Sequence, residues 1–245
     1  MELCVSECDG LRLLRFGTAW CQGAMRIDDP QRLELAYALH MSAWLLFHDA
    51  ATLPLKHLVT IGLGAGSLTR FAHGVLGMRA SAVEIEQDVI AVCRIHFLLP
   101  PDDERLRVVH AEGGDFIARQ AAAHSIDVLQ IDAYDAFVEA PALDTAAFYA
   151  RCRRVLRADA SVAVNLIGRE LDVRGSVARI REGLRPGAVW QFPPTEAGNV
   201  VVLAQLGTLP CEEVLAARAA DIRRRWDLPA DEWLAVARRT GGRHT

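Results

Sequence analysis

Glycines and carboxylates recur at the ends of short apolar runs in this chain. Leu58-Val-Thr-Ile61 is followed by Gly62, Gly64 and Gly66, and the next run, closing on Ala82-Val-Glu84, ends in an acid. Glycine lets a backbone approach a ligand where a side chain would collide, and a carboxylate can accept a hydrogen bond from each hydroxyl of a vicinal ribose diol. Strand, glycine turn, helix, strand, acid, with the acid about 20 residues beyond the first glycine, describes a nucleoside-binding α/β unit. A third run leads to Glu112-Gly113, and a fourth, Ile126-Asp-Val-Leu-Gln-Ile131, leads to Asp132-Ala-Tyr-Asp135. Asp132 and Asp135 both project into one cleft if the turn between them is tight. Two carboxylates there can hold a cationic amine, orient it and accept its proton, provided burial raises their resting pKa. Taken singly, the glycines read equally as turn residues and the acids as helix caps or solvated loop residues. Four such strand ends in register along one sheet edge point to a shared site.

These residues meet only if a parallel sheet brings the carboxyl ends of the runs together, which is where ligands bind in open α/β folds. The periodicity predicts that sheet. Strands at 58–61, 80–84, 106–110, 126–131 and 161–166 alternate with helices near 66–76, 87–97, 113–122, 144–155 and 172–184. Late strands near 188–192 and 199–205 form a closing hairpin, and the tail 211–239 is helical. Repeated alternation of this kind means a mostly parallel sheet with helices on both faces and right-handed crossovers. Residues 1–17 read as a β-hairpin about Asp9-Gly10, a strong tight-turn pair. Asp28-Asp29-Pro30 reads as the start of a helix that carries Leu33 to Phe47 and stops at Pro54, since Asp caps and Pro suits a first helical turn. The expected division is an N-terminal hairpin element over 1–24, a Rossmann-like catalytic domain over 25–210 and a helical tail over 211–245.

Composition narrows the class. Of 245 residues, 51% are hydrophobic, enough for one sizeable core, and the net charge of −4 argues against a nucleic-acid binder while leaving small cationic substrates open. Cys4, Cys8, Cys21, Cys93, Cys152 and Cys211 form no CxxC pair and none stands near a histidine at zinc spacing, so no metal site is expected and the thiols read as reduced and mostly buried. No basic patch leads into an apolar run at the N-terminus and no apolar span is long enough for a membrane, so a soluble cytoplasmic protein is expected. His40, His48, His57, His73 and His96 assemble into no catalytic set that spacing can establish, and read as structural or surface residues. Ser67 reads as a helix cap. Arg223-Arg-Arg225 reads as a solvated helix face, with nucleic-acid contact weakened by the acidic whole.

From Gln22 to Leu206 the chain resembles the polyamine aminopropyltransferases, the spermidine/spermine synthase-like proteins. The resemblance lies in Gln22-Gly-Ala-Met25 with Asp29-Pro30, Leu33 to Tyr37, Ile61-Gly-Leu-Gly-Ala-Gly-Ser67, Val83-Glu-Ile-Glu86, Phe97 with Pro100, Glu112-Gly113, Asp132-Ala-Tyr-Asp135 and Phe148-Tyr149. It implies a seven-stranded methyltransferase-type sheet behind a small β element. It also implies decarboxylated S-adenosylmethionine as donor co-substrate, a diamine such as putrescine or a longer polyamine as acceptor, and no metal. By the same resemblance Glu84 binds the ribose, Glu112-Gly113 contacts the adenine, Asp132 lies beside the reacting amine, Asp135 helps hold the polyamine, and Gln22 and Tyr37 line the pocket. The mechanism is then direct displacement at the carbon attached to a sulfonium, an excellent leaving group, with alignment as the main task.

The chain departs from the family pattern at several places. Ala65 stands where the glycine loop usually carries an acid that binds the donor's ammonium, so one charge-assisted contact is missing. Ala38 replaces a usual Gln after Tyr37, the acid pair frames Ala133-Tyr134, and the N-terminal β-domain is cut to about one hairpin. Ala65 favours a second reading, a methyltransferase that uses intact S-adenosylmethionine on a small amine, with Tyr134 covering the methyl. A third is a non-catalytic relative that keeps the nucleoside pocket. Pairing of two copies through the exposed edge of the hairpin would give a homodimer.

Overall fold

The computed structural model describes residues 2–17, 21–133, 143–167 and 172–240. It opens with an antiparallel sheet of three strands, β1 (Cys4–Cys8), β2 (Leu11–Arg15) and β3 (Cys21–Arg26), in that spatial order. Asp9 and Gly10 take φ of 50° and 76°, the left-handed pair that a two-residue hairpin needs. The expected hairpin is present. The third strand joins it through β2, with Leu13 opposite Ala24.

The helix expected from Asp28-Asp29-Pro30 does not start there. The Arg26 guanidinium holds the Asp28 carboxylate at 2.9 and 2.8 Å, which takes away one of the two candidate caps. Helical backbone begins with α1 (Ala36–Met41), and two 3₁₀ turns follow, Ala43–Phe47 and Ala50–Leu55, with Pro54 inside the second.

Alternation then proceeds much as expected. β4 (His57–Ile61) leads to α2 (Ser67–Arg70), which continues as a π-helical turn, Phe71–Val75. β5 (Arg79–Glu84), α3 (Gln87–His96), β6 (Leu106–His110) and α4 (Gly113–Asp115) follow, the last continued by a π turn, Phe116–Gln120. After β7 (Ile126–Ile131) come α5 (Ala146–Val155), β8 (Leu156–Leu166), α6 (Val173–Leu184), β9 (Ala188–Gln191) and β10 (Val200–Gln205). The expected helical tail resolves into α7 (Glu212–Trp226), α8 (Ala230–Val236) and a short strand, β11 (Arg238–Thr240).

The large sheet has the order β11-β9-β10-β8-β7-β4-β5-β6. All seven expected strands are in it, and β11 adds an eighth, antiparallel to β9 at one edge. β4 pairs in parallel with both β5 and β7. The chain steps outward from β4 to β6 and then returns to lay β7 on the other side of β4. That reversal opens a crevice at the carboxyl ends of β4 and β7, the general ligand position in such sheets.

Alternate residues of each strand feed two cores. Leu58, Val128, Ala163 and Leu203 pack with α1, the 3₁₀ turns, α7 and α8 on one face. Val59, Leu129, Val162, Val164 and Val202 pack with α5 and α6 on the other. A third cluster joins the N-terminal sheet to the α3 side through Leu14, Met25, Ala65, Val89 and Cys93. No helix among the described residues is long and apolar enough to cross a membrane.

Candidate active site

Gly62 follows β4 and has φ of +90°. A β-carbon there would stand 2.0 Å from the carbonyl oxygen of Asp132. The Gly62 N–H donates to the Val83 carbonyl at 2.8 Å, and the Asp132 N–H donates to the Ile61 carbonyl at 2.8 Å. The ends of β4, β5 and β7 are thereby laced together, at the edge where ligands bind in such sheets.

Glu84 closes β5 and is 8% exposed. One carboxylate oxygen accepts the Leu63 N–H at 2.9 Å and the other the Glu86 N–H at 3.0 Å. Burial pushes its pKa up, and the backbone donors partly offset that. An ionised carboxylate has about four lone-pair directions, so two bonds hold its orientation and leave capacity for hydroxyl donors.

Asp132 follows β7. Its Oδ1 accepts the Asn165 amide at 2.8 Å, and the Tyr37 hydroxyl, on α1, donates to the same carboxylate. Burial raises the pKa of Asp132, the two hydrogen bonds pull it back, and the charge of Glu84 raises it again. That coupling places the two acids in one electrostatic environment. Burial and the neighbouring carboxylate hold the Tyr37 hydroxyl well above the usual phenol range, so it remains a donor. Behind Asp132 the network runs inward. The Asn165 carbonyl oxygen accepts the Asn199 amide at 3.1 Å, and Asn199 is held at Thr195.

The N-terminal sheet forms a wall of the same site. Gly23 packs on the glycine loop so closely that a β-carbon on it would stand 2.5 Å from Cβ of Ala65. Its neighbour Gln22 lies over Gly64, with a carbonyl oxygen 3.3 Å from where a Gly64 β-carbon would be. Ser67 donates to the Ala24 carbonyl at 2.9 Å, so it ties α2 to β3, and Gly66 holds the cap position that had been expected of Ser67.

No family model matches the chain. Over 242 residues it is 31% identical to the polyamine aminopropyltransferase of Chromobacterium violaceum, an alignment that covers 98% of this chain and 90% of that one. The chain belongs to the polyamine aminopropyltransferase family. Its fold is similar to that of a probable spermidine synthase from Corynebacterium glutamicum, with a TM-score of 0.72 at 19% identity, over 97% of this chain and 86% of that one. It is also similar to human methyltransferase-like protein 13 in complex with SAH, with a TM-score of 0.70 at 22% identity, over 79% of this chain and 93% of that one.

Of the residues singled out in this family member, Gly62, Gly64, Gly66, Glu84 and Asp132 lie at the carboxyl edge of the sheet, Tyr37 bonds to Asp132, and the Gln22 backbone lies over Gly64. Asp135 and Tyr134 lie outside the described residues. Glu112 is exposed and caps α4, accepting the N–H groups of Gly114 and Asp115 at 2.9 and 2.8 Å, while Gly113 packs beside Ile61 and Leu143. Ala65 is 3% exposed; its methyl lies beneath Gly23. Four of the six thiols, Cys4, Cys8, Cys21 and Cys211, are exposed, contrary to the expectation of mostly buried ones. Among the described residues no cluster of three or more His, Cys, Asp or Glu could hold a metal ion. Asn165 and Asn199 went unremarked in the sequence. The one available signal was the Asn165 amide within the apolar stretch Val162 to Leu166.

Proposed function

We propose that the chain transfers an aminopropyl group from decarboxylated S-adenosylmethionine to the amine of a diamine or polyamine. The family supports the reaction class. The observation that carries the residue assignment is Asp132, a carboxylate held by Tyr37 and Asn165 at the crevice that Glu84 and the glycine loop also face.

In this reading Glu84 receives the ribose hydroxyls, and the backbone of Gly62 to Gly66 receives the nucleoside at close range. The amine nitrogen attacks the carbon attached to the sulfonium. The carbon–sulfur bond breaks with its electron pair going to sulfur, which leaves neutral 5′-methylthioadenosine. The proton lost by the amine passes to the Asp132 carboxylate, whose raised pKa makes it a better acceptor than an exposed aspartate. Two donors, Asn165 and Tyr37, fix the orientation of the carboxylate for the amine. Asp135 and Tyr134 would extend the acceptor side.

Methyl transfer from intact S-adenosylmethionine is the second reading, favoured by Ala65, which offers the donor's ammonium no charge. Calorimetric titration with both donors separates the two. Tighter binding of the decarboxylated form, with spermidine formed from putrescine, is expected. A clear preference for the intact donor together with methylated amine product would overturn aminopropyl transfer.

A further inference from the structure

Arg70 is buried, 4% exposed, and among the described residues no carboxylate pairs with it. Its guanidinium instead donates to the carbonyl oxygen of Ala65, to that of Pro30 at 3.1 Å and to the Ser67 hydroxyl at 3.5 Å. Burial without an anion pulls its pKa down to about 10. A buried charge with no counter-charge is costly, and apolar residues of similar volume usually do as well for stability. Beside it, the fully buried thiol of Cys93, on α3, donates to the carbonyl oxygen of Gly64 at 2.8 Å. Burial pushes that thiol up to about 12, so it keeps the proton it donates.

Three consecutive residues of the glycine loop are therefore gripped by side chains from three elements. Glu84 takes the N–H of Leu63, Cys93 the carbonyl of Gly64, and Arg70 the carbonyl of Ala65. Because Cys93 and Arg70 lie in the core, both carbonyls turn away from the crevice. The N–H groups of Gly64 and Ala65 take no acceptor among the described residues. We propose that Arg70 and Cys93 are positioning residues for the donor, which fix the glycine loop in the conformation that receives the nucleoside. Through Pro30, Arg70 also ties that loop to the segment leading into α1 and Tyr37.

This inference rests on the reading that an adenosyl donor lies on the loop, and the test separates the two. Calorimetry on the full-length chain uses 5′-methylthioadenosine as probe, alongside steady-state kinetics. Cys93→Val removes the donated hydrogen bond and keeps the packing; Cys93→Ser restores a donor in a less apolar side chain. Nucleoside affinity is expected to fall about fivefold in Cys93→Val, the scale of one lost hydrogen bond, and to recover in Cys93→Ser, with the acceptor KM unchanged in both. A role in packing alone gives the opposite order, because Val suits an apolar site better than Ser, and that order would overturn the inference. Arg70→Met is expected to weaken the probe by about tenfold or more, with Arg70→Lys intermediate. If Arg70→Met does not fold, the cysteine pair decides. Unchanged affinity in both cysteine variants overturns the positioning role alone. Absence of binding to the unaltered chain overturns the donor reading and this inference with it.

Discussion

The carbonyl oxygen of Asp132 stands where Gly62 would otherwise carry a side chain, 2.0 Å from the ideal β-carbon position. Gly62→Ala puts a methyl onto backbone at a φ of +90° that other residues rarely adopt. Relief would require β4 or β7 to move at its carboxyl end, which would displace the glycine loop or Asp132. We expect the variant to be destabilised by about 2 kcal/mol or more and to lose adenosyl binding. Urea unfolding that matches the parent would contradict this.

Asn165 holds Asp132 at 2.8 Å, and this bond lowers a pKa that burial and Glu84 raise. Its removal in Asn165→Ala raises the pKa further. The acid limb of the kcat/KM profile, which reports groups of the free enzyme, should therefore shift to higher pH. An unmoved limb would separate Asn165 from the titration of Asp132.

Asp132→Asn removes the proposed proton acceptor but keeps an acceptor oxygen for Tyr37 and Asn165. A fall in kcat of about 10²–10⁴ is expected, the usual scale for general base catalysis. Binding of 5′-methylthioadenosine should change little, because Glu84 and the glycine loop are untouched. Tyr37→Phe should lose about tenfold, the scale of one hydrogen bond to a charged group. Stopped turnover together with lost nucleoside binding in Asp132→Asn would point to collapse of the site instead.

His48 and His57 bond to the Ser161 and Ser81 hydroxyls, each at 2.9 Å. Burial lowers both to about 4 from an ordinary 6.5. Between those values the unfolded chain binds protons that the folded chain refuses. Stability from these groups is complete above about pH 6.5 and declines as pH falls toward 4, by at most about 1.4 kcal/mol per pH unit for each histidine. Thermal melts between pH 7 and 4.5 should show the decline, and His48→Gln should reduce it. A flat profile would count against both.

β4, β5 and β7 were legible because a strand buried on both faces reads as a continuous apolar run; these and the partly exposed edge strand β6 fall within a residue of their expected bounds. Gly62, Glu84 and Asp132 were legible because strand ends in a parallel sheet share an edge. The first helix was misplaced at Asp28-Asp29-Pro30, where Arg26 takes the carboxylate of Asp28, a competition between side chains that helix-start patterns do not register. β3 escaped notice because Cys21-Gln-Gly-Ala-Met-Arg26 alternates poorly, and its place is set by pairing with β2 together with contact with Ala65 and Ser67 far along the chain. Asn165 could not be read as part of the site, since its role depends on a partner 33 residues away.

Because Gly23 is wedged against Ala65 and Ala24 accepts from Ser67, the small N-terminal sheet cannot be regarded as a detachable accessory. Chimaeras with other members of the family would have to exchange residues 21–26 and 62–67 as one block. Grafting either half alone would mismatch the seam where Gly23 meets Ala65 and Ala24 meets Ser67.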